Sequence, residues 1–137
     1  MTLKVKLDDG AFELTRAYTY DAGFDLKSPG IVVIPARGSA CIDTGVHFQI
    51  PAGYAGMLVS KSGLNVKHSI TSTGLIDSGY SGSVIVKLYN NNDIPYVIEA
   101  GDKISQIVFV SVYTPALMFV DEIECGDRGD RGFGSSG

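Results

Sequence analysis

Several features that would quickly assign a function are scarce in this sequence. Its 137 residues hold 11 Lys and Arg against 15 Asp and Glu, a formal net charge of −4. That balance argues against a broad electrostatic grip on DNA or RNA. No apolar run is long enough to cross a membrane. The start, "MTLKVKLDDG", alternates Leu3, Val5 and Leu7 with Lys4 and Lys6, which is a strand pattern and not a signal peptide. There are two cysteines, Cys41 and Cys125. No disulfide framework is expected, and two free thiols suit a reducing cytoplasm. His47 and His68 stand apart, with no Cys/His pair at ligand spacing, which argues against zinc. Neither the Walker nor the Rossmann glycine pattern occurs, so those nucleotide-binding modes are excluded. Helical periodicity is nearly absent, and there is no internal repeat.

What remains is a series of short β-rich runs between glycines, prolines and polar turns: "GIVVIP", "ACIDTGVHFQIP", "GMLVS", "SVIVKLYN", "YVIEAG", "KISQIVFVSVY" and "ALMFVDEI". Val, Ile, Tyr and Phe dominate them. Many short strands with Gly and Pro turns predict an all-β barrel or double-sheet jelly roll. Residues 60–72 read as non-strand, with a helical turn around Gly63–Lys67. From about Cys125 the pattern stops, so a β-barrel domain over 1–124 and a flexible glycine-rich arm over 125–137 are expected.

Four segments of the body are more polar and glycine-rich than a core requires. In "AGFDL", Asp25 lies between Phe24 and Leu26 and so points to the opposite face of an extended segment. Its ordinary reading is a turn or capping aspartate; its chemical reading is a carboxylate holding a metal-bound water. In "SKSGLN", Lys61 offers charge, Ser62 a hydroxyl and Gly63 close backbone approach, the parts of a small anion site or of a plain polar turn. "GLIDSGYSG" reads as a hairpin with Asp77 and Tyr80 near its bend. A carboxylate there suits a sugar hydroxyl or a water, and a ring suits a sugar face. In "GDKISQIVF", alternation places Ile104, Gln106 and Val108 on one face, where the glutamine needs a partner. With the tail, these segments supply cations at Lys61, Arg128 and Arg131, hydroxyls at Ser62, Ser135 and Ser136, and acids at Asp25 and Asp77. That is an inventory for a polyphosphate, since arginine's planar fork donates two parallel hydrogen bonds.

In order, "AGFDL", "SKSGL", "GLIDSGYSG", "GDKISQIVF" and "RGDRGFGSSG" resemble the five motifs of the trimeric deoxyuridine triphosphatase (dUTPase) family. The resemblance implies a jelly-roll-like β subunit that forms a homotrimer with active sites between subunits. It implies hydrolysis of dUTP to dUMP and pyrophosphate with Mg²⁺, which limits dUTP and supplies dUMP for thymidylate synthesis. A cytoplasmic setting is expected, or a host cytoplasm if the gene is viral. By the same resemblance, Asp25 holds Mg²⁺ through water, and Lys61, Ser62 and Gly63 meet the phosphates. Asp77 orients the attacking water and binds the 3′-hydroxyl. Tyr80 packs under the deoxyribose and leaves no room for a 2′-hydroxyl. Gln106 contacts phosphate or ordered water. Arg128, Gly134, Ser135 and Ser136 close on the γ-phosphate, and Phe133 stacks over the uracil.

The sequence departs from the family at three places. Lys61 stands where the second motif has arginine, and Arg131 where the fifth has glycine. Thr71 stands where many members have an asparagine that helps read uracil, leaving backbone groups of the hairpin, Gly74 and Ile76 among them, to read the pyrimidine edge. A dCTP deaminase of the same fold would need a glutamate at the place of Lys87, and lysine cannot replace a carboxylate's proton transfers. A non-catalytic trimer is the other alternative, and it would have no need of Asp77, Tyr80 and Phe133 together.

Overall fold

The chain folds as a curled antiparallel half-barrel, described by a computed structural model over residues 2–134. Its strands are β1 (Lys4–Leu7), β2 (Gly23–Lys27), β3 (Val32–Ile34), β4 (Ser39–Gln49), β5 (Tyr54–Val59), β6 (Ile70–Ile76), β7 (Ser83–Asn90), β8 (Tyr96–Ile98) and β9 (Lys103–Ser111), with one helix, α1 (Ser62–His68). The main sheet runs β1-β4-β7-β6-β5-β9-β2, and β3 pairs with β8 in a second, two-stranded sheet. This is the jelly-roll-like all-β fold expected from the sequence.

Alternation along the strands builds the core. On β7, Val84, Val86 and Leu88 are buried while Ile85, Lys87 and Tyr89 face outward. With Ile42, Val46 and Phe48 of β4, Leu58 of β5 and Ile107 of β9 they form one apolar cluster. The small sheet adds Ile34 and Ile98 to the same cluster. Asn90, also buried, donates through Nδ2 to the carbonyls of Ile34 (3.3 Å) and Ile94 (2.8 Å), tying the small sheet to the large one. A buried amide satisfied in this way fixes the register of the elements it joins.

The strand β6 departs most from the sequence reading. It begins at Ile70, inside the stretch expected to be non-strand, because Ile70–Ser72 pairs with Leu88–Asn90 of β7. Beyond Ser72 the two strands part: Thr73–Ile76 pairs with β5, and Ser83 and Ile85 pair with β4. The expected hairpin is therefore split, although a turn closes from the Tyr80 N–H to the Asp77 carbonyl at 3.1 Å. The run "ALMFVDEI" forms no strand. Leu117, Met118, Phe119 and Ile123 are exposed, since β-propensity without a neighbouring strand leaves the ladder unmade.

Candidate active site

Strand register explains which candidate residues meet. Asp25 on β2 lies opposite Gln106 on β9, Gln106 opposite Val59 on β5, and Val59 opposite Thr73 on β6. Lys61 follows Val59 by two residues and so falls on the same side of the chain. Its Nζ lies 2.6 Å from Asp25 Oδ1, and Lys103 Nζ lies 3.5 Å from Oδ2. The Asp25 side chain is only 7% exposed, so this carboxylate is held between two ammonium groups and shielded from water. Gln106 Nε2 donates to the Ser60 carbonyl at 3.1 Å, the partner its polar amide required. Gly23 leaves the space for this glutamine, since a Cβ there would lie 2.6 Å from its Oε1.

A bulge corrects the face expected for the glutamine. The β2–β9 pairing slips between Leu26 and Lys27, which steps over Ile104. One extra residue reverses the alternation. Ile104 therefore joins Ile107 in the core, and Gln106 does not share its face. The same slip brings Lys103 onto Asp25, a contact that simple alternation from Gln106 does not predict. Ser60 was also missed: its hydroxyl accepts from the Ser72 N–H (2.9 Å) and donates to the Ser72 carbonyl (3.0 Å). Ser72 in turn meets the buried Ser105 hydroxyl at 2.8 Å. This chain of hydroxyls locks β6 and β9 beside the Lys61 turn.

The expected helical turn is α1, which opens at Ser62 and Gly63, both exposed. Lys61 is its N-cap residue and makes no side-chain cap, so the first helical N–H groups stay open. Thr71 is half-buried opposite Tyr89, its hydroxyl 3.5 Å from Asn91 Nδ2. Gly74 faces Leu58 across the sheet, where a Cβ would come within 3.0 Å of a Leu58 methyl. Ile76 ends β6 opposite Gly56.

Asp77 and Tyr80 sit at the far end of β6 from the lysines. Four residues of extended chain separate Thr73 from Asp77, about 13 Å along the strand. Asp77 is exposed, and among the described residues no hydrogen bond or ion pair of the chain engages its carboxylate. Tyr80 lies over Gly82, where a Cβ would fall 2.5 Å from the phenol oxygen, and its hydroxyl donates to the Ser83 carbonyl at 2.7 Å. The ring is thus held as a platform with one side in water.

The tail residues Arg128, Phe133 and Gly134 are exposed. Arg128 donates to the carbonyls of Arg131 and Gly132, and Arg131 donates back to those of Arg128 and Asp127. Ser135 and Ser136 lie outside the described residues. Lys87 is exposed, its ammonium 5.1 Å from the centre of the Tyr89 ring. Cys41 and Cys125 are free and exposed.

No group of three or more His, Cys, Asp or Glu gathers among the described residues. Among the described residues there is thus no all-protein metal cage. A single carboxylate fits instead a Mg²⁺ that keeps most of its waters, and the ammonium groups beside it fit the phosphate oxygens of a metal-bound triphosphate.

Comparison with known proteins gives the family. The dUTPase family model matches residues 11–137. The deoxyuridine 5′-triphosphate nucleotidohydrolase of Oryza sativa is 39% identical over 137 residues, covering 98% of this chain and 80% of that protein. The structure of Staphylococcus bacteriophage 80alpha dUTPase with dUPNHPP superposes with a TM-score of 0.94 at 34% identity, covering 99% of this chain and 98% of that one. A mutant dUTPase from phage phi11 of S. aureus, described for the coordination of a structural Mg(II) ion, has a TM-score of 0.83 at 33% identity, covering 89% and 98%. By the family match over residues 11–137 and by these relatives, the chain belongs to the dUTPase family.

Proposed function

We propose that this chain hydrolyses dUTP to dUMP and pyrophosphate by water attack on the α-phosphorus, as a homotrimer whose sites lie between subunits. The observation that carries this reading is the division of the site along β6. Asp25, Lys61 and Gln106 are gathered at one end, and Asp77 and Tyr80 at the other. Asp77 is too far along the strand to aim a water at a phosphate held by Ser62 of its own chain. A second copy presenting its Asp77 turn to the first copy's Lys61 end closes that gap. The lone chain also leaves Leu117, Met118 and Phe119 in water, together with an apolar cleft of about 610 Å³ lined by Leu3, Val5, Leu14, Phe24, Phe48 and Phe109. Contact between copies would cover such surfaces.

In this reading Asp77 accepts the 3′-hydroxyl hydrogen bond and orients the water, which demands position more than basicity. The Tyr80 ring, fixed on Gly82, supports the deoxyribose and leaves no room for a 2′-hydroxyl. Gly74 and Ile76 offer backbone groups to the uracil, and Thr71 stands at the start of the same strand. Ser62, Gly63 and Gln106 engage the phosphates. Lys61 turns from Asp25 to the triphosphate, and Asp25 is then free to hold a metal-bound water. Mg²⁺, when bound, neutralises and orients the triphosphate. Residues 125–137 act as an arm: Arg128, Gly134, Ser135 and Ser136 close on the γ-phosphate, and Phe133 covers the base. Closure excludes water and completes the site. The enzyme works in the cytoplasm, which suits its two unpaired thiols, and it limits dUTP while supplying dUMP.

The test is release of pyrophosphate and ammonia from dUTP, dCTP, dTTP and UTP, with and without Mg²⁺. Pyrophosphate from dUTP alone, dependent on the metal, is the expected result. Ammonia from dCTP would replace this reading with deamination.

A further inference from the structure

Behind the Asp77–Gly82 turn lies His47, a residue that no motif accounts for. It sits on β4 just past a bulge, opposite Lys6 on β1 and Ser83 on β7. Its Nδ1 lies 2.9 Å from the Ser81 carbonyl oxygen, and its Nε2 lies 2.9 Å from Asp8 Oδ2. We infer that His47 is a positioning residue for the sugar-binding turn, clamping the Ser81 carbonyl to Asp8 and so setting the pose of Tyr80. The inference rests on the reading that Tyr80 carries the deoxyribose.

The chemistry of the partners decides the state of the ring. A carbonyl and a carboxylate are both acceptors, and a neutral imidazole has one N–H to give. Both contacts are made together when the ring is doubly protonated. The charges around it agree: Asp8 at the end of β1 and Asp43 on β4 favour the imidazolium, while Lys6 opposes it and Lys4 lines the same shallow cleft. The Ser81 hydrogen bond and then Asp8 hold the His47 pKa above its ordinary 6.5. The clamp is therefore complete below about pH 6.5 and is lost as pH rises through the folded-state value.

Loss of the proton forces the ring to release one acceptor. If Ser81 is released, the turn is left with the Tyr80 hydroxyl on the Ser83 carbonyl and the Asp77–Tyr80 hydrogen bond. Tyr80 supports the sugar in the ground state and the transition state alike, so the effect falls on KM and not on kcat. One hydrogen bond of ordinary net strength corresponds to roughly a fivefold change.

The experiment follows the His47 ring proton by NMR from about pH 5 upward. The carbonyl-carbon shift of Ser81, which reports the hydrogen bond on that oxygen, and KM and kcat for dUTP are measured over the same range in the wild type, His47→Gln and Asp8→Asn. The expected result is a His47 titration above 6.5, with the Ser81 carbonyl shift changing on the same curve. KM should rise about fivefold over that range in the wild type, and the step should vanish in His47→Gln. In Asp8→Asn it should move to lower pH, which a merely structural contact would not produce. Titration of the nucleotide itself is common to all three proteins and cancels in the ratios. A His47 pKa at or below the ordinary value, or a KM step retained in His47→Gln, overturns the inference. Coupled titration of the ring and the Ser81 carbonyl in a protein that leaves dUTP intact supports the clamp and overturns the functional reading.

Discussion

At one end of β6, Asp25 is buried between Lys61 and Lys103, and Gln106, Ser60, Ser72 and Ser105 form a chain of satisfied hydrogen bonds. At the other end Asp77 is exposed with no partner among the described residues, and Tyr80 stands on a glycine. The first region is wired by its own side chains; the second is held by its backbone and leaves its carboxylate open. Buried polar networks fix geometry because breaking any member strands the others. An exposed carboxylate has no such constraint and can give its full hydrogen-bonding capacity to a substrate. The phosphate end should therefore tolerate substitution poorly in folding, and the sugar end poorly in catalysis.

The largest effect is expected at Asp77. Asp77→Asn should lower kcat about 10²–10⁴-fold, the range for loss of a positioned acid or base, while leaving stability within about 0.5 kcal/mol. Pyrophosphate release and urea unfolding measure the two quantities. The same variant tests the division of the site between chains. Lys61→Ala disables the other half, so refolding the two inactive chains together should regenerate intact sites wherever the two wild-type halves meet, about a quarter of sites on random closed assembly. Recovered turnover supports shared sites; a mixture as inactive as its parents would mean that each chain completes its own.

Next in size is the arm. A chain ending at Gly126 should lose about 10²-fold in kcat/KM, the scale of one or two charge-stabilising donors. Its melting temperature should not change, because 127–134 is exposed and adds nothing to the core. In the structure both arginines are satisfied by carbonyls of the arm itself. Arg131, foreign to the family pattern, thus has a local partner in the arm's own turn. Unchanged kinetics in the shortened chain would remove the arm from the comparison.

The difference between the two regions also governs what the sequence disclosed. Runs rich in Val, Ile and Phe announced β4, β5, β7 and β9, since a half-buried strand needs little beyond that pattern. Asp77, Tyr80 and Gly82 were visible because turn residues act locally. Lys103 was hidden, since a one-residue bulge between Leu26 and Lys27 reverses a face that alternation had set. The start of β6, "ITS", has weak apolar character and becomes a strand through pairing with Leu88–Asn90. "ALMFVDEI" has the propensity and lacks the partner. In each miss the deciding fact is a contact between distant segments, which a single sequence does not display.

The largest effect on folding should come from Asp25→Asn. Removing one member of a fully buried ion pair costs about 3–5 kcal/mol, because the remaining charge is stranded. Here Lys61 and Lys103 are 25% and 49% exposed, so both ammonium groups can swing toward water. The asparagine carbonyl still accepts from one of them, but its amide turns a like-signed dipole to the other. A loss of about 2 kcal/mol is expected, between a buried and a surface pair. Urea unfolding of this variant beside Asp77→Asn compares the two regions directly. Equal stability of the two variants would mean that the lysines do not wire the phosphate end. A clear deficit in Asp25→Asn alone would mean that this ion-pair cluster belongs to the fold before it serves a ligand.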